Sequence, residues 1–211
     1  SWIHEDFFTI AELGFGTGLN FLATWKLWNQ VKASGHLDQQ WLHFVSTEQF
    51  PLPIHFMEKA HDHFPEIEEL AAELRRLFPP AVIGTHRIVF PNDRVSLTLI
   101  FGDANEKLAP ESTASFSADS WFLDGFSPAE NPELWNQELA DHVKRLSRSG
   151  TTLATYTSAG WVRRLFEKKT DSGILFEIAK VKGFGRKREM ITGKVPPPVT
   201  KVEFIKVENQ K

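Results

Sequence analysis

Short apolar runs alternate with amphipathic stretches along most of the chain. Apolar, β-rich runs predict strands, whereas apolar residues spaced three and four apart predict helices. The predicted strands are 8–11, 41–47, 82–90, 95–101, 120–124, 151–156, 174–181 and 189–192, and the predicted helices are 21–28, 51–63, 66–78, 133–146 and 158–169. This order favours an α/β fold with a mostly parallel sheet, and the late strand pair predicts an antiparallel addition at one edge.

Turn and cap residues support several of these boundaries. Pro91-Asn92-Asp93-Arg94 separates two β-rich runs and has the chemistry of a hairpin turn. Asn131-Pro132 precedes one predicted helix, and Ser158 is a candidate N-cap for another.

The first predicted strand leads into a helix through a glycine-rich turn, Glu12-Leu13-Gly14-Phe15-Gly16-Thr17-Gly18-Leu19-Asn20. The dinucleotide fingerprint G-x-G-x-x-G is not met, because Leu19 stands where its last glycine would be. A carboxylate at Glu12 would repel a pyrophosphate and attract a cation such as the ammonium of a methionine moiety. The turn therefore favours S-adenosylmethionine over NAD or ATP, with a turn that binds nothing as the alternative.

Three further carboxylates, Glu48, Asp103 and Asp124, follow the ends of later strands. In open α/β sheets, ligands bind outside the carboxyl ends of the strands. Glu48 is placed to accept hydrogen bonds from both ribose hydroxyls, and Asp103, with the Ala104 backbone beside it, from an adenine amino group. The alternative for each carboxylate is a turn or cap residue.

Asp124 lies where a methyl acceptor would meet this cofactor. Its carboxylate can orient an amine by a hydrogen bond and take the released proton. Phe126 is a candidate to stack on a flipped base, with core packing as the alternative.

Net charge is unevenly distributed along the sequence. Residues 1–143 carry a balance of −13 and residues 144–211 a balance of +10, which together give the net charge of −3. This favours a polyanionic partner for the C-terminal part, and nucleic-acid contacts are expected from Arg163, Arg164, Lys182, Arg186, Lys187 and Arg188. The alternative is that these cations face water or pair with the acidic half.

Composition narrows the possible chemistry further. The chain has 211 residues, 41% of them hydrophobic, and no cysteine, which excludes disulfides, thiol catalysis and zinc–thiolate sites. No apolar run approaches the roughly 18 residues of a membrane span, so we expect a cytoplasmic protein. His55, His61 and His63 do not predict a metal site, because residues two apart do not share a helix face.

Four segments together resemble the methyltransferase domain of the tRNA modification protein MnmC: 12–22, 121–135, 155–160 and 183–190. The resemblance implies a class I S-adenosylmethionine-dependent methyltransferase fold and N-methylation of the 5-aminomethyl group of a tRNA wobble uridine, giving 5-methylaminomethyl-2-thiouridine. It implies that Asp124 faces the acceptor amine and that the cofactor is lined by Glu12, Gly14, Gly16, Gly18, Glu48 and Asp103. We add Phe15, Thr17, Asn20 and Ala104 to the cofactor set, and Phe126 and Pro128 to the acceptor side.

The domain expected from these patterns spans residues 1–195, with residues 196–211 as a C-terminal tail. Many members of the family continue into an FAD-dependent oxidase domain that makes the primary amine, and we expect that activity to lie outside these residues. Two other functions stay open from the residues alone: a methyltransferase acting on a small-molecule or protein amine, and a non-catalytic module with the same fold.

Overall fold

The computed structural model describes residues 6–37, 39–112, 115–124, 134–168, 173–183 and 189–197. These residues form an eight-stranded sheet with helices packed on it. The strands are β1 Phe7–Leu13, β2 Trp41–Glu48, β3 Gly84–Phe90, β4 Val95–Phe101, β5 Ala118–Phe122, β6 Ser147–Thr155, β7 Glu177–Lys182 and β8 Glu189–Lys194. The helices are α1 Leu19–Ala33, α2 Ile54–His61, α3 Glu68–Leu77, α4 Ala104–Lys107, α5 Gln137–Arg145 and α6 Gly160–Glu167.

The strands lie in the order β3-β4-β2-β1-β5-β6-β8-β7. The five central strands, β4 to β6 in this order, are parallel. β8 runs antiparallel to β6 and β7 antiparallel to β8, which confirms the predicted addition at that edge. β3 is antiparallel to β4 at the other edge, as the hairpin turn between them requires.

The core lies on both faces of the sheet because successive strand residues point to opposite sides. Ile10 of β1 packs in the cluster that holds the aromatic residues of α1. Its neighbours Ala11 and Leu13 pack in a second cluster, with α5 and α6. The side chains at the carboxyl ends of the parallel strands are thus held from two sides.

The predicted hairpin turn also fixes α1. The indole nitrogen of Trp25 donates to Oδ2 of Asp93 at 2.8 Å, and that of Trp28 donates to the Asp93 carbonyl at 3.2 Å. Both indoles are buried, so these bonds satisfy their donors and tie the first helix to the far edge of the sheet.

Three helix predictions started too early, besides the one at Ser158. The helix predicted over 133–146, with Asn131-Pro132 before it, begins only at Gln137, and its N-cap is Asn136, whose side chain accepts from the Leu139 amide.

The helix predicted from Pro51 begins only at Ile54, after Pro53, whose backbone is extended. The helix predicted from Glu66 begins as a 3₁₀ turn at 65–67, and its α-helical part starts at Glu68. The residue before a proline disfavours the helical conformation, which explains why the helix predicted from Pro51 does not include Leu52, the residue before Pro53.

The N-cap prediction for Ser158 was wrong. α6 begins at Gly160, its N-cap residue is Ala159, and no side chain caps it. The Ala159 amide donates instead to the Thr157 hydroxyl at 3.2 Å. Within the described residues, no helix is long and apolar enough to cross a bilayer.

Candidate active site

The glycine-rich turn is bound to the end of the neighbouring strand. The amides of Gly14 and Phe15 donate to the Thr47 carbonyl at 2.9 and 3.2 Å, and the Gly16 amide donates to Oε2 of Glu48 at 2.9 Å. Gly16 has φ +53°, and a Cβ there would meet no atom within 4 Å. The turn therefore leaves open space beside Gly16, where a ligand can approach the backbone.

Gly18 is needed for a different reason. It has φ +78°, and a Cβ there would lie 2.7 Å from the ring of Phe15. That ring is buried and stacks on Phe78 at a centroid distance of 5.9 Å. The Phe15 side chain is thus part of the core, so only the backbone of Phe15 can serve the ligand contact predicted for it.

Glu12 lies at the carboxyl end of β1 and is 1% exposed. Its Oε2 accepts from the Ser46 hydroxyl at 2.7 Å, and its Oε1 accepts from the Asn20 amide at 2.8 Å. Burial raises the pKa of Glu12 to about 8, the carboxylates of Asp124 and Glu48 act in the same direction, and the two hydrogen bonds oppose them. Glu12 is thus suited to a ligand cation that would favour its charged form.

Asn20 joins Glu12 to Asp124. Its Nδ2 donates to Oε1 of Glu12 and to Oδ2 of Asp124, each at 2.8 Å, so these two oxygens are at most 5.6 Å apart. Asp124, unlike Glu12, is exposed. The predicted catalytic carboxylate and the first predicted cofactor carboxylate therefore meet at one amide group.

A cavity of about 190 Å³ opens beside this amide. It is lined by Asn20, Phe122, Asp124, Ala154, Thr155, Tyr156 and Met190. Tyr156 follows β6 and is 49% exposed, and Met190 lies on β8 where that strand reaches the same edge of the sheet. The cavity has mainly apolar walls with Asp124 and Asn20 at one side, which suits a flat ring carrying a polar or cationic group.

The other two predicted carboxylates already hold backbone amides. Oε1 of Glu48 accepts from Phe50 at 2.8 Å, in addition to the Gly16 bond of its other oxygen. Oδ1 of Asp103 accepts from the amides of Asn105 and Glu106, which makes it the N-cap of α4, and Ala104 is the first residue of that helix. Both carboxylates lie at the same sheet edge as Glu12, and their ribose and adenine contacts stay predictions.

Several cations of the basic C-terminal part have structural partners. The ammonium of Lys144 is buried and donates to the carbonyls of Leu165 and Lys168 at 2.6 and 2.7 Å, and burial lowers its pKa. Arg148 pairs with Asp119, and Arg163 lies 3.4 Å from Glu167. The alternative in which cations pair with the acidic half therefore holds for Arg148, whereas the hydrogen bonds of Lys144 and the ion pair of Arg163 are made within the basic part.

Arg164 and Lys182 differ from these cations. Both are exposed, and neither side chain makes a hydrogen bond or an ion pair with a described residue. α6, which carries Arg164, begins four residues after Tyr156. Lys182 is the last residue of β7 and lies on the side of the sheet where the parallel strands have their carboxyl ends. Phe126, Pro128, Arg186, Lys187 and Arg188 lie outside the described residues.

His61 has a structural position that the sequence did not predict. It is fully buried, with Nδ1 3.0 Å from the Arg75 guanidinium and Nε2 2.8 Å from the Thr17 carbonyl. Because arginine can only donate, Nδ1 accepts and Nε2 donates to Thr17. In the described part of the chain, no group of three histidine or acidic residues could hold a metal ion.

Sequence reasoning missed Ser46, Phe50, Tyr156 and Met190 as site residues. Tyr156 carried one usable signal, since it is the single tyrosine of the chain and follows a predicted strand. Phe50 follows Glu48 by two residues, and an aromatic residue beside a predicted strand-end carboxylate was a second signal; its ring is 70% exposed in the structure. Ser46 and Met190 have ordinary sequence surroundings, and only strand register brings them to the site.

Comparison with known proteins agrees with this geometry. Residues 65–196 match the family described as S-adenosyl-L-methionine-dependent methyltransferase. The chain is 48% identical over 189 residues to the tRNA 5-methylaminomethyl-2-thiouridine biosynthesis bifunctional protein MnmC of Marinobacter nauticus, which covers 90% of the chain and 28% of that protein. It is equally identical over 188 residues to the same-named protein of Vibrio vulnificus, covering 88% of the chain and 27% of that protein.

The crystal structure of MNMC2 from Aquifex aeolicus superposes with a TM-score of 0.66 at 23% identity, covering 93% of this chain and 55% of that one. This likeness confirms the expected class I fold. The chain spans just over a quarter of the length of the curated relatives it matches, so its whole-protein counterparts contain much more sequence. The family match, the fold and the resemblance to MnmC agree, and the chain belongs to the S-adenosyl-L-methionine-dependent methyltransferases.

Proposed function

We propose that this chain transfers a methyl group from S-adenosylmethionine to the 5-aminomethyl nitrogen of a tRNA wobble uridine, giving 5-methylaminomethyl-2-thiouridine. The observation that carries the proposal is the pair of carboxylates, Glu12 and Asp124, joined by the Asn20 amide at the mouth of a cavity. One carboxylate is buried and suits a fixed ligand cation, and the other is exposed and suits an incoming amine.

The residues present fit S-adenosylmethionine. Glu12 is a buried carboxyl whose charged surroundings are acidic, so the ammonium of the methionine part would offset an unfavourable charge. The open space beside Gly16 lets a ligand reach the loop backbone, and the exposed ring of Phe50 lies two residues after Glu48, the residue expected to hold the ribose. When bound, the cofactor supplies a methyl group on a positively charged sulfur.

Asp124 has two tasks in this proposal. An alkyl amine is mostly protonated near neutral pH, which hides its lone pair. A carboxylate that accepts a hydrogen bond from the amine directs the lone pair toward the methyl carbon. The same carboxylate takes the proton that the nitrogen loses, directly or through water, so that the methylated amine can leave.

Tyr156 is our candidate for the base platform. Its half-exposed ring lines the cavity together with Phe122 and Met190. Stacking of a base on an aromatic ring contributes about 1–3 kcal/mol and tolerates different bases. Phe126 and Pro128 stay proposals for the same side of the site, on sequence alone.

Arg164 and Lys182 are our candidates for phosphate contacts near the cavity. Both lack a described partner and flank the edge at which the parallel strands end. Arg163, Arg186, Lys187 and Arg188 extend this set as proposals from the sequence. Such contacts position a nucleic acid without reading its bases.

The names of the curated relatives support the substrate. They are called tRNA 5-methylaminomethyl-2-thiouridine biosynthesis bifunctional proteins, and the methylaminomethyl substituent in that name is a methylated amine. By the resemblance, the FAD-dependent step that frees the primary amine belongs to a different domain from the one matched here. The methyl transfer is then the step assigned to the present residues.

Methyl transfer from labelled cofactor to tRNA tests the proposal. tRNA isolated from a strain that lacks this methylation is expected to become labelled at the wobble nucleoside, and fully modified tRNA serves as the negative control. Labelling of a free primary amine in preference to the tRNA would favour the small-amine alternative. Absence of cofactor binding in calorimetry would contradict both enzyme functions.

A further inference from the structure

We infer that Asn20 is a positioning residue that orients the Asp124 carboxylate from the cofactor side of the site. The inference rests on the proposed function, since it concerns how the proposed acceptor carboxylate is held. Sequence analysis placed Asn20 with the cofactor contacts alone, whereas its amide also reaches Asp124.

The hydrogen-bond geometry carries the inference. A side-chain amide nitrogen has two hydrogens, and the Nδ2 of Asn20 has two carboxylate partners at 2.8 Å. Asn20 is the second residue of α1, and its carbonyl accepts from the Thr24 hydroxyl at 2.7 Å, which holds the first turn of that helix. The amide is therefore fixed on a rigid element and not on a loop.

Asp124 needs such an anchor. It is exposed at the end of β5, and among the described residues the hydrogen-bond donor to its carboxylate is Asn20. An unanchored carboxylate would rotate among several orientations, and only some of them would direct an amine toward the methyl carbon. The amide thus sets one orientation.

The identity of the residue matters because of the charges around it. Among the described residues, the carboxyl groups that contact this amide are those of Glu12 on β1 and Asp124 after β5, and the charged groups that act on Glu12 are Asp124 and Glu48 on β2. A neutral double donor can bridge two carboxylates without adding charge. A carboxylate in its place would add a further negative charge and, once ionised, could donate no hydrogen bond.

The test compares Asn20→Ala and Asn20→Asp with Asn29→Ala, a control on the same helix that lines a different groove. Single-turnover methyl transfer is measured at saturating S-adenosylmethionine and tRNA across pH 6–9. Asn20→Ala is expected to lose at least tenfold in rate while its Kd for tRNA stays within twofold of wild type. Asn29→Ala is expected to match wild type.

The pH profile separates positioning from general damage. The wild-type rate is expected to rise with pH as the amine loses its proton. The ratio of the Asn20→Asp rate to the wild-type rate is expected to fall as pH rises, because ionisation removes the donor and adds repulsion. For Asn20→Ala the corresponding ratio is expected to stay flat.

A rate within twofold of wild type for Asn20→Ala would overturn the inference. If wild type and Asn29→Ala also transfer no methyl group to tRNA, the proposed function fails instead. Crystal structures of wild type and Asn20→Ala then decide the inference by themselves. An unchanged Asp124 carboxylate in the variant would contradict it, and a displaced or multiply oriented carboxylate would support it.

Discussion

Glu12 combines deep burial with an ionisable group, and this makes it the residue with the clearest pH signature. Its pKa is raised from 4.5 to about 8 in the folded protein. Between these values the folded state keeps a proton that the unfolded state has lost, so folding stability falls as pH rises through this window. Each unit by which the pKa differs between the folded and unfolded states corresponds to about 1.4 kcal/mol in the free energy of unfolding.

Glu12→Gln is therefore expected to remove this pH dependence. The variant should be more stable than wild type at pH 8 and close to it at pH 5, in denaturant unfolding without ligand. Glu69→Gln, on the exposed surface of α3, is the matched control and should leave the wild-type slope intact. Equal pH slopes for wild type and Glu12→Gln would contradict the assigned burial and charge.

Cofactor binding gives a second consequence of the same pKa. An ammonium beside Glu12 favours its charged form, so binding of S-adenosylmethionine near pH 7 should release a proton from wild type. Calorimetry in two buffers of different ionisation enthalpy measures this release, which Glu12→Gln should abolish together with part of the affinity. If Glu12→Gln releases as many protons on binding as wild type does, Glu12 does not contact the ligand cation.

At the residue scale, the sequence could locate carboxylates at strand ends but not their hydrogen-bond partners. Glu12, Glu48 and Asp124 are visible because each follows an apolar run. Ser46 bonds Glu12 only because β1 and β2 are parallel in a register that pairs Glu12 with Ser46. That register depends on tertiary packing, which no local pattern encodes.

The glycine turn acts as a single element, held by β2 on one side and by His61 on the other. Gly18→Ala is expected to destabilise the protein by more than about 1 kcal/mol, because the left-handed backbone disfavours alanine and the new Cβ would press on Phe15. Gly35→Ala is a matched control, since Gly35 has the same φ of +78° and open space around it. Denaturant unfolding and cofactor titration measure both variants.

Only Gly18→Ala should also weaken cofactor binding, because Gly18 belongs to the loop and Gly35 does not. Equal losses of stability in the two variants would show that backbone strain alone matters. Unchanged cofactor affinity in Gly18→Ala would contradict the role given to the loop.

At the scale of elements, the sequence missed the short helix α4 and predicted the type of the other described helices and strands better than their starts. The helix predicted from Pro51 failed at its first turn, where proline chemistry decided the boundary. The link from Arg75 through His61 to Thr17 joins residues far apart in sequence and leaves no periodic signal. Its contribution to the site could be recognised only in the folded structure.

At the scale of the whole molecule, the acidic residues at the carboxyl ends of the parallel strands lie on the same side of the sheet as two cations whose side chains have no partner among the described residues. Arg164 and Lys182 lie near the β7 end of the sheet, and Arg87 lies on β3 at the opposite end. The double variant Arg164→Glu, Lys182→Glu is expected to weaken tRNA binding and to flatten its salt dependence by about two units of slope. Its Kd for S-adenosylmethionine should not change.

The control for this variant reverses Arg76 and Arg87, which are exposed near the other end of the sheet. Filter binding across a salt series should show wild-type affinity and slope for Arg76→Glu, Arg87→Glu. Equal losses of tRNA affinity in both double variants would indicate an effect of net charge alone. No loss of affinity in either would show that Arg164 and Lys182 do not form a tRNA-binding surface.

The sequence predicted the α/β architecture and the antiparallel edge because alternation of strands and helices is a local signal that repeats along the chain. Its charge asymmetry was a weaker guide. Lys144 counts as a surface cation in the sequence yet is buried against the end of α6, and Arg148 serves an ion pair with Asp119. The distribution of charge on the surface can therefore be derived from the sequence only after these partners are known.

The central claim is that Asp124 acts on the chemical step of methyl transfer to a tRNA amine. Single-turnover transfer at saturating S-adenosylmethionine and tRNA tests it most directly, with Asp124→Ala, Asp124→Asn and the exposed-surface control Asp62→Ala. Asp124→Ala should lose about 10²–10⁴-fold in rate with both ligands still bound. Asp124→Asn should fall between Asp124→Ala and wild type, and Asp62→Ala should match wild type. A near-normal rate for Asp124→Ala would contradict the claim.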